Sequence, residues 1–205
     1  GDFDAAIQII REKGKAIANK RADRDASEGV VLAKVAGNKA AIISLNCETD
    51  FVAKNQEFVG FGNSILDVAV ASKPASVEAL NDMKIDGRTI ADHITEYTGK
   101  IGEKIEISSY VLMEGEQVIA YLHGASIGVL VNLANVNGAD VIEAGKDVGM
   151  QIASMSPLAI DESGIDAEVV EREKQVGLDK AREEGKPEHI LEKISEGFVK
   201  KFYQD

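Results

Sequence analysis

The sequence comprises 205 residues, of which 44% are hydrophobic, so the chain is long enough to bury a sizeable apolar core. Its 35 acidic residues outnumber its 23 basic residues, and the formal net charge of -12 opposes binding to nucleic acid or to an anionic membrane. The composition therefore favours a globular protein whose partner is another protein or a small ligand.

Cysteine and histidine usage narrows the chemistry further. Cys47 is the one cysteine in the sequence, so neither an internal disulfide nor a cysteine-based zinc cluster is expected, and a cytoplasmic location is favoured. The three histidines, His93, His123 and His189, lack the i, i+4 spacing that places two metal ligands on one helix face. Because the sequence also lacks a Gly-rich phosphate loop, we expect neither a metal site nor a nucleotide cofactor.

The chain opens with a predicted helix over residues 2–13, for which Gly14 provides a C-terminal stop signal. Its apolar residues with helical spacing are Phe3, Ile7 and Ile10. Residues 15–24 are rich in Lys, Arg and Ala and predict a basic linker, helical or extended. This linker is either a solvated segment or a contact for an acidic partner.

Two apolar runs, residues 30–35 and 40–45, flank a Gly-Asn pair and predict a β-hairpin. Residues 55–72 follow with apolar side chains three and four positions apart, which predicts a helix that ends before Pro74. The first half of the chain therefore contains a unit made of a hairpin, a loop and a helix.

The same unit recurs in the second half of the chain. Residues 117–122 and 127–133 predict a second hairpin and residues 141–154 a second helix. The uncharged stretch 118–136 is nearly as long as a membrane-spanning helix, but its alternating apolar residues around Gly124 indicate strands instead. We therefore expect no membrane span. Three segments complete the first unit or bridge to the second: residues 77–80, 85–97 and 104–112.

Two charged runs at the end of the chain, residues 166–184 and 188–203, predict an antiparallel helical hairpin around a Gly-Lys-Pro turn. A thin apolar seam is predicted between its arms, formed by Val169, Val176, Ile190, Ile194 and Phe198. Such a narrow arm suits a partner contact, a homodimer element, or packing on another part of the same protein.

The sequence thus predicts an α+β fold with two related subdomains, each with an antiparallel β-hairpin or sheet packed on helices, plus a protruding coiled-coil hairpin. We divide it into a helix with its basic linker, a first core subdomain, a second core subdomain and the helical hairpin. Their predicted ranges are 1–26, 27–112, 113–165 and 166–205.

The two copies differ in the loop that joins hairpin to helix. With Asn46 matched to Asn132 and the helix ends matched to each other, the first copy is four residues longer, and the excess falls in residues 47–55. Both copies share the needs of the scaffold, so a feature of one copy is a candidate for function. The alternative is structural: Phe51 folds into the core, and Asp50 or Thr49 caps the next helix.

Two further classes of function stay open on the residues alone. A cysteine-dependent hydrolase would use Cys47 as nucleophile and His93 or His123 as base, although a lone cysteine is more often a small buried hydrophobe. A non-catalytic interaction or dimerisation module would instead use the helical arm and bind without changing any nucleotide affinity.

The segment Leu45–Asn55, with the sequence LNCETDFVAKN, closely resembles the Thr-Asp-Phe motif of the elongation factor Ts family. Three further segments resemble that family in the same order: Lys100–Glu103, Tyr121–Val131 and Glu168–Glu173. Ser44 departs from the family, which often has an acidic residue there. The resemblance implies that residues 2–13 are the last helix of a ubiquitin-associated-like module, and that the chain is truncated there and after the helical hairpin.

The resemblance also implies a function and a set of contact residues. It implies a guanine nucleotide exchange factor that releases GDP from the elongation GTPase EF-Tu without covalent chemistry of its own. The segment that would meet the Mg²⁺ and phosphate region of EF-Tu is formed by Thr49, Asp50, Phe51 and Val52, with Phe51 as a wedge and Thr49 in a structural role. Further implied contacts are Ile101, Gly102, His123 and Gly124, of which His123 could instead be a polar turn residue.

Overall fold

A computed structural model describes residues 2–204, and residues 3–6 by their backbone alone. The helices are α1 (Phe3–Arg21), α2 (Asp50–Ala53), α3 (Gln56–Ser72), α4 (Val77–Asp82), α5 (Ile90–Ile101), α6 (Ile142–Met155), α7 (Ala167–Glu183) and α8 (Glu188–Phe202). The strands are β1 (Glu28–Ala36), β2 (Lys39–Cys47), β3 (Lys84–Ile85), β4 (Arg88–Thr89), β5 (Glu106–Glu114), β6 (Gln117–His123) and β7 (Ile127–Leu133). The chain divides into two compact units, one that ends at Ala153 and one that begins at Ser154.

The first unit is built on a three-stranded antiparallel sheet in the order β1-β2-β5. Strands β1 and β2 form the predicted hairpin, which turns at Gly37 and Asn38 and pairs Val30 with Leu45. Side chains alternate between the two faces of the sheet, and on β2 one face is buried throughout, at Ala41, Ile43, Leu45 and Cys47. One of these faces packs on α3, where Phe58, Ile65 and Leu66 are fully buried.

The second hairpin, β6–β7, packs on the other face of the sheet. A methyl group added to Gly128 of β7 would lie 2.4 Å from Ile42 Cδ1, so the backbone of β7 lies directly against the sheet. On the far side of the hairpin, Gly145 of α6 approaches Ile119. This arrangement confirms the two predicted hairpins, the helices predicted at residues 55–72 and 141–154, and the α+β class. The four predicted subdomain ranges stay a prediction.

Helix α1 differs from its prediction, because it continues through Gly14 to Arg21 and includes most of the predicted linker. Gly14 is buried against α5, so this glycine serves close helix packing and not helix termination. The predicted apolar face of α1 is also partly wrong, since Ile10 is 62% exposed. The side chain of Phe3 lies outside the described part of the structure.

The second unit contains the helical hairpin predicted from the charged runs, with α7 and α8 packed against each other. Its seam is tighter than predicted: the buried residues are Gly177 and Ala181 of α7 and Leu191 and Ser195 of α8. A methyl group added to Gly177 would lie 2.8 Å from Phe198 Cβ, so the backbone of α7 lies directly against α8. Val176 is 50% exposed and does not belong to the seam. Small residues let the helix backbones approach closely, which an apolar count from sequence misses. Within residues 2–204, no helix is both long and apolar enough to cross a membrane.

Candidate functional site

The segment that differs between the two copies forms a helix of four residues, α2, directly after β2. Thr49 adopts an extended conformation in front of it, and its Oγ1 accepts a 3.5 Å hydrogen bond from the Val52 amide. Thr49 therefore caps α2, the structural role expected of it, whereas Asn55 caps α3.

Phe51 projects from α2 into solvent. Its side chain is 83% exposed, whereas Phe58, seven residues later, is fully buried in the core. The structural alternative in which Phe51 folds back into the core is therefore wrong. An exposed phenylalanine gives up burial worth about 1.5–3 kcal/mol, so the sheet and helices gain nothing from its position.

Asp50 lies at the start of α2 and is paired with Lys54 one turn later. The Lys54 Nζ atom donates a hydrogen bond of 2.6 Å to Asp50 Oδ2. This hydrogen bond is the main reason why the pKa of Asp50 lies below its ordinary value. A negative charge therefore stands beside the exposed Phe51 ring at neutral pH.

A carboxylate from a distant segment holds the start of α2. Glu103 Oε2 accepts hydrogen bonds from the amides of Glu48 at 3.1 Å and of Thr49 at 3.0 Å. Glu103 Oε1 accepts a third bond, of 2.7 Å, from Thr49 Oγ1. Since Glu103 directly follows Ile101 and Gly102, it brings two of the predicted contact segments together.

Glu48 returns the same kind of contact to the Glu103 segment. Its Oε1 atom accepts a 2.7 Å hydrogen bond from the amide of Lys104, and Arg21 at the end of α1 donates a 2.8 Å bond to its Oε2 atom. We call these four groups, Glu103, Glu48, Arg21 and the Thr49 hydroxyl, the carboxylate clamp. Sequence reasoning missed Glu103, Glu48 and Arg21 as site residues; the one signal was that Glu48 and Glu103 belong to the segments that carry the resemblance.

The site is attached to the core of the first unit by Val52, Ile101 and Gly102. Val52 and Ile101 are partly buried and pack against the core of the first unit. Gly102 ends α5 with a φ of 81°, a left-handed conformation that favours glycine. These residues fix the backbone on both sides of the clamp, and their contacts with a partner stay a prediction.

His123 and Gly124 lie at a separate place, the turn between β6 and β7. His123 is exposed, and its Nδ1 atom is 3.0 Å from Tyr121 Oη. The turn is fixed on β1, where the Val31 amide donates a 2.7 Å hydrogen bond to Ala125 O. Val31 is three strand positions, roughly 10 Å, from Glu28, which pairs with Cys47 at the entry to the loop.

The candidate nucleophile Cys47 is poorly placed for catalysis. Its side chain is fully buried, and burial, with a smaller contribution from the charge of Glu103, raises the pKa of the thiol to about 11. The thiol donates to Thr49 O at 3.2 Å, and the proposed base His93 has both ring nitrogens engaged, with Arg88 and Ile85 O. These contacts disfavour the hydrolase alternative, because a thiol nucleophile must be ionised and accessible.

Comparison with known proteins covers both the site and the whole chain. A model of the family "Elongation factor TS" matches residues 48–205. The chain belongs to the elongation factor Ts family. Elongation factor Ts of Cytophaga hutchinsonii is 48% identical over 209 residues, which cover 100% of this chain and 75% of the relative. The elongation factors Ts of Amoebophilus asiaticus and Methylobacillus flagellatus are 46% and 43% identical, with 75% and 70% of their lengths covered. The family predicted from Leu45–Asn55 is thereby confirmed.

Proposed function

We propose that this chain promotes GDP release from the GTPase EF-Tu by inserting Phe51 and Asp50 beside its Mg²⁺ and phosphate site. The observation that carries the proposal is the 83% exposure of Phe51 on α2, a short helix that the carboxylate clamp holds in place. The chain that presents this side chain belongs to the elongation factor Ts family. The exposed ring contributes nothing to the packing of the core. It is available to bind an apolar pocket on a partner protein.

Nucleotide release of this kind needs differential binding and no covalent step. A factor that binds the nucleotide-free GTPase more tightly than the GDP-bound form weakens GDP binding by the same factor, because the linkage is reciprocal. Each ~1.4 kcal/mol of that preference corresponds to about a tenfold change in affinity. Phe51 supplies such a preference if its pocket on the GTPase opens only when the Mg²⁺-binding elements have moved.

Asp50 acts on the polar side of the same site. Its carboxylate is ionised and half exposed, so it competes for the groups that hold the metal and the phosphates. Mg²⁺ bridges the nucleotide and the protein, so a disturbed metal shell removes several interactions at once. The protein itself then needs neither cofactor nor metal, and it acts where EF-Tu acts, in the cytoplasm.

The remaining predicted residues divide by position. Thr49 and Val52 keep α2 in place from the capping position and from the core side. Ile101 and Gly102 form one edge of the contact surface beside the clamp, and the His123–Gly124 turn forms a second, separate contact on EF-Tu. Thr49 and Val52 thus support α2, whereas Ile101, Gly102, His123 and Gly124 contact EF-Tu directly.

The test is stimulated release of a fluorescent GDP analogue from EF-Tu, followed by stopped flow. The variant Phe51→Ala should keep the wild-type circular dichroism and melting temperature and should slow the release at least tenfold. Val35→Ala is a matched control, since Val35 is 45% exposed at the opposite end of β1. If EF-Tu releases the GDP analogue at the wild-type rate in the presence of Phe51→Ala, the proposal is refuted.

A further inference from the structure

We infer that Glu103 is a positioning residue, which sets the orientation of Phe51 without touching EF-Tu. This inference rests on the proposed function of Phe51. It concerns a different residue, 52 positions along the chain, and a different physical role.

A helix of four residues cannot persist on its own. Nucleating the first turn fixes several backbone dihedrals for one hydrogen bond, so isolated helices shorter than about 12 residues are marginal in water. The amides in front of α2 lack partners within the helix and need outside acceptors. The Glu103 carboxylate accepts from the amides of Glu48 and Thr49 and from the Thr49 hydroxyl.

These three bonds are charge-assisted, which makes them stronger than bonds to a neutral acceptor. Glu103 is also well fixed, because it lies between Gly102, which ends α5, and Ile105, which is 4% exposed in the core. The reciprocal bond from the Lys104 amide to Glu48 closes the arrangement into a ring of contacts between the two segments. The backbone at the start of α2 is therefore fixed, and with it the direction in which the Cα–Cβ bond of Phe51 leaves the helix, although the side chain itself is mostly in water.

The second copy of the fold contains a comparable clamp. Glu116 accepts hydrogen bonds from the amides of Asn135 at 2.6 Å and Val136 at 3.2 Å, in the loop that follows β7. That loop carries no aromatic residue. Securing the loop after the hairpin is thus a device of both copies, whereas only the first copy uses it to support an exposed phenylalanine.

The experiment is a double-mutant cycle in the GDP-release assay. Glu103→Ala should reduce the maximal stimulated rate about tenfold in the chain that contains Phe51 and should change the rate less than twofold in the Phe51→Ala background. Glu103→Gln keeps an acceptor oxygen and should lose no more than about threefold. Glu116→Ala removes two amide contacts of the same kind from the other loop and should leave the rate unchanged.

Hydrogen exchange separates positioning from general destabilisation. In Glu103→Ala, the amides of Glu48 and Thr49 should exchange at least tenfold faster, whereas the amides of β6 and β7 should keep their wild-type rates. If Glu103→Ala does not fold, Thr49→Val replaces it, because this nearly isosteric change removes one bond of the clamp together with the capping bond from the Val52 amide. Its smaller loss of rate should likewise disappear in the Phe51→Ala background.

The failures of the two proposals are distinguishable. If Phe51→Ala slows release and the clamp variants do not, the role of Glu103 is overturned and the proposed function stands. If the clamp variants lower the rate by equal factors with and without Phe51, Glu103 acts independently of the wedge and the inference is also overturned. If Phe51→Ala stimulates GDP release from EF-Tu at the wild-type rate, both proposals are refuted.

Discussion

A methyl group on Gly99 would lie 2.5 Å from the Cα atom of Gly14, so helices α1 and α5 are in contact through their backbones. This contact joins the first helix of the chain to the helix that leads into Gly102 and Glu103. It also fixes the end of α1, where Arg21 meets Glu48. The packing of two glycines thus supports the site from a distance.

We expect Gly99→Ala to destabilise the fold, because its methyl group meets backbone that can move only with the whole of α1. The loss should be about 1–3 kcal/mol in the free energy of unfolding, typical of an overpacked contact. Urea unfolding measures it. Gly60→Ala is the matched control: Gly60 is a helical glycine of α3 with open space around its Cα, and its replacement should stabilise by about 0.5–1 kcal/mol. Equal effects of both variants would contradict the close contact.

Asp50 provides a prediction about the Mg²⁺ site of EF-Tu. Asp50→Asn should slow stimulated GDP release several-fold, since it removes the negative charge and keeps the size of the side chain. The deficit should shrink when EDTA removes Mg²⁺, because the carboxylate then has no metal shell to disturb. Lys54→Met frees the carboxylate from its ion pair. This variant should stimulate GDP release from EF-Tu at least as strongly as wild type. A deficit of Asp50→Asn that is unchanged in EDTA would exclude an action on the metal.

The raised pKa of the Cys47 thiol leads us to expect that the folded protein loses stability in alkaline solution. Its folded-state pKa of about 11 lies above the ordinary value of 9.0, so folding favours the protonated thiol. The resulting stabilisation is fully present below pH 9 and is lost as the pH rises towards 11. Cys47→Ala should therefore show a shallower decline of the unfolding free energy over this range than wild type. The raised pKa values of Tyr97 and Tyr110 act in both proteins and cancel in the comparison.

The same burial predicts low reactivity of the thiol. Iodoacetamide at pH 8 should modify Cys47 in the folded protein at least a hundredfold more slowly than in urea, because the reactive species is the accessible thiolate. Rapid alkylation of the folded chain would contradict both the burial and the raised pKa. It would also restore the hydrolase alternative that the geometry disfavours.

Elements with local signals were predictable from the sequence. The two hairpins, α3, α6 and the helical arms follow from apolar periodicity and from turn residues within a few positions of each other. For α1, the sequence predicts a helix that is too short, because Gly14 resembles a helix end. The reason for a glycine at this position is the close contact with Gly99, 85 residues later, which no local pattern indicates. Periodicity likewise assigned Val176 to the helical seam, whereas the small residues Gly177 and Ser195 let the arms meet.

The candidate site was predictable only in part. The comparison of the two copies located the loop of Asp50 and Phe51, but it left open whether Phe51 is buried, because an aromatic at a strand-to-helix junction fits either state. The clamp is a set of tertiary contacts between segments that are 27 residues apart for Arg21 and Glu48 and more than 50 residues apart for the Glu103 segment, and such pairs have no local pattern. The family resemblance alone supplied EF-Tu as the partner.

The clamp also ties the presentation of Phe51 to the order in which the chain folds. Glu103 follows Thr49 by 54 residues, and β5, which fixes the Glu103 segment, must pair with β2 across still larger separations, such as that between Asn46 and Glu106. Contacts so distant in sequence form late, after the loop-closure entropy has been overcome. A nascent chain that has emerged only as far as α5 thus carries the Thr-Asp-Phe motif without its geometry. Partly synthesised chains that lack the Glu103 segment and β5 consequently hold an unconstrained phenylalanine, and the backbone that carries it becomes fixed only once β5 has paired with β2.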